Sequence, residues 1–206
     1  MKQIALPLSP EPGSAAAPRF VVGSGNSAVI EALREAESWP FRTAVLSGPP
    51  RSGKSLLARW FVENGLGAAL DDADTMDEDV LFHRWNRAQE ERQPLLVVSN
   101  AGEAGWTITL PDLASRLGAA MRLEIGPPDD AMLADLIHLH AEMRGLALDD
   151  SATAYLVGRC VRSHLGVEQL VAAIDRISLE RKQAPTLAVW REALEEIAGA
   201  DQPRLL

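Results

Sequence analysis

The sequence predicts an α/β protein in which a parallel, doubly wound sheet of about four strands is followed by a small all-α domain. A phosphate-binding pattern at residues 48–55 follows a short apolar run and precedes a helical pattern. Further apolar runs alternate with helical patterns up to residue 125, whereas helical patterns alone follow Pro127 and Pro128. Alternating strands and helices are typical of parallel sheets, and the change of pattern places a domain boundary near Gly126.

Apolar runs of strand length lie at residues 43–47, 67–71, 95–100 and 121–125. Apolar residues at helical spacing predict helices after Asn26, a candidate cap, and over residues 56–61, 77–92 and 110–117. Beyond the boundary we expect helices at about 129–144, 149–163, 167–183 and 186–198. Candidate caps for these helices, whose side-chain oxygens can accept from a first helical turn, are Asp129, Asp149 and Thr186.

The pattern at residues 48–55 is G-x-x-x-x-G-K-S/T, the phosphate loop. Its glycines let the backbone curl until several N–H groups point at an anion, at the start of a helix whose dipole favours negative charge. Lys54 brings a positive charge to the β- and γ-phosphates, and the Ser55 hydroxyl can bind Mg²⁺. We therefore predict a nucleotide site formed by Gly48, Pro49, Pro50, Arg51, Ser52, Gly53, Lys54, Ser55 and Leu56.

Acidic and amide side chains follow two of the predicted strands. Asp71 and Asp72 come directly after the second strand. At this place phosphoryl-transfer sites need one acid that binds Mg²⁺ together with a residue such as Ser55, and a neighbouring acid that orients water. The alternative is a solvated acidic loop, since more acids follow within residues 74–79. Asn100 ends the most apolar strand, where a polar side chain can sense the γ-phosphate or its attacking water, or can simply terminate the strand.

The 206 residues carry a net charge of −9. Sequence-independent DNA binding needs clustered Lys and Arg, so this charge favours a protein partner over nucleic acid.

The N-terminus lacks the pattern of a secretory signal, no apolar run approaches the ~20 residues of a membrane span, and Cys160 is the single cysteine. We therefore expect a cytoplasmic protein without a disulfide framework, with an apolar start at residues 1–8 and a proline-rich linker at residues 9–18.

Two arginines, Arg116 and Arg162, are candidate functional residues that belong to no recognised motif. Arg116 lies in a short predicted helix that buries its leucines at 113 and 117, and this pattern predicts an exposed arginine. Arg162 lies on or near the third helix of the all-α domain and could reach a nucleotide or stay at the surface. His138 and His140 are two residues apart on a predicted helix and do not share a face, so they do not predict a metal site.

Residues 3–8 and about 20–198 resemble the AAA+ proteins of the DnaA class, specifically the Hda (HdaA) regulators of replication initiation. The phosphate loop and the pair Asp71-Asp72 resemble the Walker A and Walker B motifs of that family. The other segments that carry the likeness are Gln3 to Leu8, Phe20 to Gly23 with Asn26, Asp77 to Asn86, Leu110 to Leu117 and Asp175 to Ser178. The first of these segments and Leu110 to Leu117 are the most specific.

The resemblance implies a role for each segment. Gln3, Leu6, Pro7 and Leu8 would bind the DNA sliding clamp, Val22 would pack near adenine, and Arg116 would be an arginine finger offered to ATP held by DnaA. The implied parts are a clamp-binding peptide at 1–8, a linker at 9–18, an AAA+ nucleotide-binding domain at 19–126 and a helical lid at 127–200. The implied function is negative regulation of replication initiation by a self-pairing adaptor that holds ADP or ATP with Mg²⁺ and lacks direct, specific DNA binding.

Three departures from the family pattern bear on activity. The short spacing from Lys54 to Asp71 removes the expected second strand and its helix, which trims one edge of the sheet. Leu165 stands where relatives carry a lid arginine, for which Arg162 is the candidate substitute, and Asn100 stands where aspartate is common. The alternatives are an independently active AAA+ ATPase (a loader or remodelling motor), a small-molecule kinase, or a DNA-binding initiator fragment.

Overall fold

The computed structural model describes residues 20–102 and 105–200, which fall into two compact units. One unit contains the sheet and consists of Phe20 and residues 26–126. The other is helical and consists of Val21–Gly25 and residues 127–200. The units divide between Gly126 and Pro127, and Val21–Gly25 group with the helical residues.

The sheet unit alternates strands and helices as expected. In the described part of the chain its strands are β1 (Thr43–Ser47), β2 (Ala68–Leu70), β3 (Leu95–Val98) and β4 (Met121–Glu124), and its helices are α1 (Ser27–Arg34), α2 (Lys54–Glu63), α3 (Glu78–Glu90) and α4 (Pro111–Gly118). The strands are all parallel in the order β2-β3-β1-β4. The prediction of a parallel sheet of about four strands is therefore confirmed.

The centre of the sheet is β1, which pairs with β3 on one side and β4 on the other. The residues of β3 are all buried, as are those of β1 up to Leu46, whereas the edge strand β2 is half-buried. Val45 and Val97 are partners in the register of β1 and β3, so they share one face of the sheet. Both pack in a cluster with Leu81 and Trp85 of α3 and Leu113 of α4. This packing fixes α3 and α4 on the same side of the sheet.

The helical unit contains α5 (Asp130–Met143), α6 (Asp150–Val157), α7 (His164–Arg181) and α8 (Leu187–Ala200). The long helix α7 packs against both α5 and α8 and buries an apolar face that includes Val167, Leu170 and Ile174. Among the described residues, we find no helix that is both long and apolar enough to cross a membrane.

Two predicted caps in this unit are confirmed. The side chains of Asp129 and Asp149 accept hydrogen bonds from the N–H groups of Met132 and Ala152. In the sheet unit Asn26 occupies the cap position of α1, but its side chain makes no capping hydrogen bond.

Other boundaries differ from the prediction. The helix expected at 149–163 is shorter, because α6 ends at Val157 and the chain then turns. Ser163 starts α7 three residues earlier than expected, since its hydroxyl accepts from the N–H of Gly166 at 2.9 Å. In the sheet, β3 ends at Val98, so Ser99 and Asn100 lie in the loop that follows it.

Candidate nucleotide-binding site

Both glycines of the phosphate loop adopt backbone conformations in which a residue with a side chain would be strained. Gly48 follows β1 with a φ of 153°, and a Cβ there would lie 2.8 Å from the Cβ of Ile125. Gly53 precedes α2 with a φ of 90°, and a Cβ there would lie 2.4 Å from the ring of Phe20. The loop therefore needs glycine at both positions, and the N-terminus of α2 opens directly onto it.

Lys54 is the first residue of α2 and only 5% exposed. Its Nζ donates hydrogen bonds to the carbonyl oxygens of Gly48 at 2.8 Å and Pro49 at 2.9 Å. Burial lowers the pKa of Lys54, and the negative charges of Asp71, Asp74 and Asp72 partly offset that effect. A buried cation whose hydrogen bonds go to neutral carbonyls gains from an anionic ligand, because a phosphate compensates for the hydration that burial removes.

Two serines of the loop complete the donor set. Ser52 is 2% exposed, and its Oγ has no hydrogen-bond partner within the described residues. Ser55 is exposed on the first turn of α2. Pro50 and Arg51 are exposed, and Leu56 is half-buried. Together with Lys54 these donors fit a phosphate group with its bound cation.

The ends of β2 and β3 bring the predicted acidic and amide side chains together. The Nδ2 of Asn100 donates to Oδ1 of Asp72 at 2.5 Å, and the backbone N–H of Asn100 donates to Oδ1 of Asp74 at 2.7 Å. The N–H of Asp72 also donates to Oδ1 of Asp71 at 3.0 Å. Asp72 and Asp74 therefore bond to the loop that follows β3, while the side chains of Asp71 and Asp72 remain exposed.

Asp74 is a member of this group that the sequence did not single out. It lies in a single 3₁₀ turn (Ala73–Thr75), and Asp72 before that turn has a left-handed φ of 52°. The sequence signal was its position one turn after a strand that ends in acids. Nothing in the local pattern distinguished Asp74 from the other acids that follow it.

The structure also limits how Mg²⁺ could be held. Within residues 20–102 and 105–200, no group of three or more histidine, cysteine or acidic side chains is arranged to bind a metal ion. Mg²⁺ usually takes only one or two protein ligands and completes its shell with phosphates and waters. Ser55 and Asp71 as ligands of a nucleotide-bound Mg²⁺ therefore stay a prediction.

Arg116 of α4 is half-buried, so the prediction of an exposed side chain is wrong. Its Nη1 donates to Oδ1 of Asn86, and its Cζ lies 4.4 Å from the ring centroids of both Phe82 and Trp85. These three partners lie on α3 at positions i, i+3 and i+4, which form one face of a helix. The error arose because the pattern of α4 alone does not reveal that α3 packs beside it.

Glu78 and Trp85 of α3 form hydrogen bonds with residues near Arg116 and with the central strand. The Glu78 carboxylate accepts from the N–H and hydroxyl of Thr109 and from the N–H of Leu110, and these bonds lower its pKa. The Nε1 of Trp85 donates at 3.1 Å to the hydroxyl of Thr43, which is fully buried in β1. The start of α4 is thus hydrogen-bonded to α3, and the indole of Trp85, which contacts Arg116, is hydrogen-bonded to β1.

The remaining predicted residues lie elsewhere. Arg162 is exposed in the helical unit and forms an ion pair with Oδ1 of Asp130 at 2.5 Å. Val22 is half-buried and also groups with the helical unit. The predicted clamp-binding residues, Gln3, Leu6, Pro7 and Leu8, lie outside the described residues.

Comparison with known proteins bears on both units. A family model described as the Hda lid domain matches residues 129–194. Domain III of the replication initiation protein DnaA from Thermotoga maritima is similar with a TM-score of 0.70 and 15% identity, over 86% of this chain and 94% of that one. The Thermotoga maritima RuvB Holliday junction branch migration motor gives a TM-score of 0.63 and 17% identity, over 87% and 72%.

AMPPCP-bound DnaA from Aquifex aeolicus is also similar, with a TM-score of 0.55 and 16% identity, over 79% of this chain and 67% of that one. These likenesses and the phosphate loop define the fold: an AAA+ α/β domain with an all-α lid. Within the lid, residues 129–194 match the Hda family model, which supports the resemblance to the Hda and DnaA proteins over that part of the chain.

Proposed function

We propose that this protein is a nucleotide-bound adaptor that restrains replication initiation. It docks on the DNA sliding clamp and stimulates ATP hydrolysis by DnaA through Arg116. The observation that carries the proposal is the Hda lid match at residues 129–194, in a chain whose phosphate loop keeps Lys54 buried against its own carbonyls. The first part supports regulation of DnaA, and the second supports a resident nucleotide.

The nucleotide would be ADP or ATP. The donors are the residues from Gly48 to Leu56, and Lys54 would exchange its bonds to loop carbonyls for stronger charged bonds to phosphate. Ser55 and Asp71 would share Mg²⁺ with the phosphates, Val22 would pack near adenine, and Arg162 would supply the cation that Leu165 cannot. That one similar protein is AMPPCP-bound DnaA supports an adenine nucleotide.

Arg116 would act on a nucleotide that another subunit holds. Negative charge develops on the transferred phosphoryl group, and a guanidinium supplied by a neighbouring protein can accelerate hydrolysis by about 10³–10⁵-fold. The product would be DnaA with ADP. The same surface would serve self-pairing, because an arginine offered to a partner lies at a contact between subunits.

Docking on the clamp would use the first eight residues. Gln3 would donate at the mouth of an apolar pocket, and Leu6 and Leu8, with Pro7 between them, would fill it. As a flexible coil, the ten residues of the linker at 9–18 would span about 17 Å between the peptide and the folded part of the chain. A short peptide loses conformational freedom on binding, and a ring with several identical sites raises the apparent affinity by multivalency.

The test is a reconstituted reaction of DnaA-ATP, clamp loaded on DNA and this protein, in which ADP formation is followed with time. We expect rapid ADP formation only when all three components are present. Leaving out the clamp or this protein should return the rate to that of DnaA alone. Equal rates with and without this protein would contradict the proposed function.

A second candidate function is an independent ATPase, either a loader or a remodelling motor. The hydrogen bond between Asn100 and Asp72 favours it, since it places an acid and an amide together at the strand ends where hydrolysis is supported in P-loop proteins. Turnover by the isolated protein, lost in Asp72→Asn, would support this alternative over the adaptor.

A further inference from the structure

We infer that Tyr155, Arg159 and Arg191 of the helical unit form a docking site for an acidic peptide segment of another protein. These residues come from three parts of that unit: Tyr155 from α6, Arg159 from the turn that follows α6, and Arg191 from α8. None of them has a role in the proposed function, so the inference does not depend on it. The site would give the helical unit an interaction surface of its own.

Both guanidinium groups contact Tyr155. The Cζ of Arg159 lies 4.0 Å from the centroid of the tyrosine ring, within the range of a cation–π contact, and its Nη1 donates to the carbonyl oxygen of Tyr155 at 3.1 Å. The Nε of Arg191 donates to the tyrosine hydroxyl at 3.4 Å. One tyrosine therefore brings together two positive charges that are more than thirty residues apart in sequence.

The tyrosine is itself held by packing. Its ring is half-buried and lies 6.0 Å from the ring of Trp190, at an interplanar angle of 42°. Both rings pack against the apolar core of the helical unit. Because Trp190 directly precedes Arg191 on α8, the same packing sets the place from which Arg191 reaches the tyrosine. Side chains that are ordered before binding lose less conformational freedom when a ligand arrives.

The charges of these two arginines are not balanced by acids. Arginines elsewhere in the helical unit form ion pairs: Arg162 with Asp130, Arg176 with Glu180 and Glu196, and Arg181 with Glu192. In the described part of the chain, which ends at residue 200, neither Arg159 nor Arg191 forms such a pair. Both are exposed, and each uses only one of its several N–H donors in a hydrogen bond. They remain able to bind an anion, in a chain whose net charge is −9.

Carboxylates of a protein fit this site better than the phosphates of nucleic acid. A guanidinium can bind either group through two parallel N–H···O bonds. Nucleic acid, however, carries closely spaced charges along its whole length and is bound by clusters of Lys and Arg, whereas this site has one pair in an acidic chain. Tyrosine and arginine are residue types that are enriched at the energetic centres of protein–protein interfaces.

An exposed leucine near the arginines narrows the ligand further. Leu187 is 41% exposed and lies four residues before Arg191 on α8, so the two side chains share one face of that helix. A peptide that places an acidic residue beside an apolar one would contact both of them. We therefore expect a segment in which Asp or Glu adjoins a large apolar residue.

The experiment selects peptides from a phage-displayed library of short random sequences on the immobilised full chain. The same selection is carried out on the double variant Arg159→Gln/Arg191→Gln, which keeps polar side chains but removes both charges. The most enriched peptide is then synthesised with a fluorophore, and its dissociation constant is measured by fluorescence anisotropy. A labelled single-stranded thymidine oligonucleotide is the second probe. Arg181→Gln is the matched control, because it removes the same charge from an arginine that is paired with an acid.

We expect the wild-type protein to select peptides with an acidic residue next to an apolar one. Arg159→Gln and Arg191→Gln should each raise the dissociation constant of such a peptide by about threefold to tenfold, because each removes charged hydrogen bonds to a carboxylate. Arg181→Gln should change it by less than about twofold. All three variants should keep the melting temperature of the wild-type protein within about 2 °C, since the substituted side chains are exposed.

Several outcomes would overturn the inference. A selection that yields no binding peptide, yields peptides without acids, or gives the same peptides on the double variant would mean that the arginines do not bind carboxylates. Tight binding of the oligonucleotide that is lost in the double variant would assign the site to nucleic acid. A change in the monomer–dimer equilibrium of the double variant, measured by sedimentation, would assign it to a second copy of this chain.

Discussion

The side-chain amide of Asn100 donates a hydrogen bond of 2.5 Å to the carboxylate of Asp72, and this bond joins the loops that follow β3 and β2. The backbone N–H of Asn100 holds Asp74 in the same way at 2.7 Å. Asn100, in the loop after β3, thus bonds to two acids of the loop that follows β2. Any Mg²⁺ or water handled by these acids would meet an arrangement that Asn100 has already set.

Substitutions at Asn100 should reveal this organisation. Asn100→Ala removes the amide donor and should lower the free energy of unfolding by up to about 1 kcal/mol, since the bond is exposed. Asn100→Asp should be more destabilising at low salt, because it places a carboxylate against that of Asp72. Thermal unfolding in 20 mM and 500 mM NaCl measures both, and the difference between the variants should narrow at the higher salt. Equal stability of the two variants at low salt would contradict the arrangement.

Nucleotide binding should depend on Lys54. With ADP at about a hundred times its dissociation constant, the expected stabilisation is about 2.7 kcal/mol, which corresponds to a rise of about 5–10 °C in melting temperature. Lys54→Ala should remove this rise, because it deletes the buried cation of the loop. Arg59→Ala, exposed on the same helix, should retain it. A shift of equal size in Lys54→Ala would show that ADP binds elsewhere.

The carboxylate of Glu78 should make stability depend on pH. Its pKa is lowered by the hydrogen bonds from Thr109 and Leu110, so its stabilising contribution is present above about pH 4.5 and is lost as the pH falls through the folded-state value. Glu78→Gln should therefore melt below the wild-type protein at pH 7, and the two curves should converge as the pH falls below 4.5.

The control for that experiment is Glu90→Gln, which removes a charge from an exposed position near the other end of α3. Melting temperatures of all three proteins are measured from pH 7 to pH 3. A difference between wild-type protein and Glu78→Gln that stays constant over this range would mean that the charge of Glu78 does not hold the start of α4.

Clamp dependence should reside in the first residues of the chain. Gln3→Ala removes the side chain that would donate at the mouth of the clamp pocket, so it should abolish the clamp-dependent part of the acceleration. The stabilisation by ADP should be unchanged, since that depends on the phosphate loop. Ser9→Ala, in the adjoining linker, is the control. Full acceleration in Gln3→Ala would place the docking contact elsewhere.

The parallel sheet and the phosphate loop could be predicted from the sequence because their signals are local. A buried strand is a run of apolar residues, so β1 was predicted at its observed bounds of 43 and 47. The phosphate loop could be predicted from its two glycines and Lys54. In the structure a side chain at either glycine would collide with Ile125 or Phe20. Caps such as Asp129 are local as well, since they bond to residues three positions away.

The errors arose where the deciding contact is distant in sequence. Arg116 was predicted to be exposed, yet its partner Asn86 is thirty residues earlier on another helix. Asp74 was one acid among several until the end of β3 placed Asn100 beside it. Tertiary packing overrides local patterns at both of these points. The length of the second lid helix is a different case: apolar spacing continues past Val157, and the helix that follows begins at a local cap, the hydroxyl of Ser163.

The most direct test of the account is the rate of ADP formation from DnaA-ATP, with DNA-loaded clamp and saturating Arg116→Ala in place of the wild-type protein. We expect this variant to give the rate of DnaA alone, although ADP still stabilises it against unfolding. Arg87→Ala, which removes an exposed arginine paired with Glu91 on α3, should accelerate ADP formation as the wild-type protein does. Undiminished acceleration by Arg116→Ala would contradict the proposal that Arg116 stimulates ATP hydrolysis by DnaA.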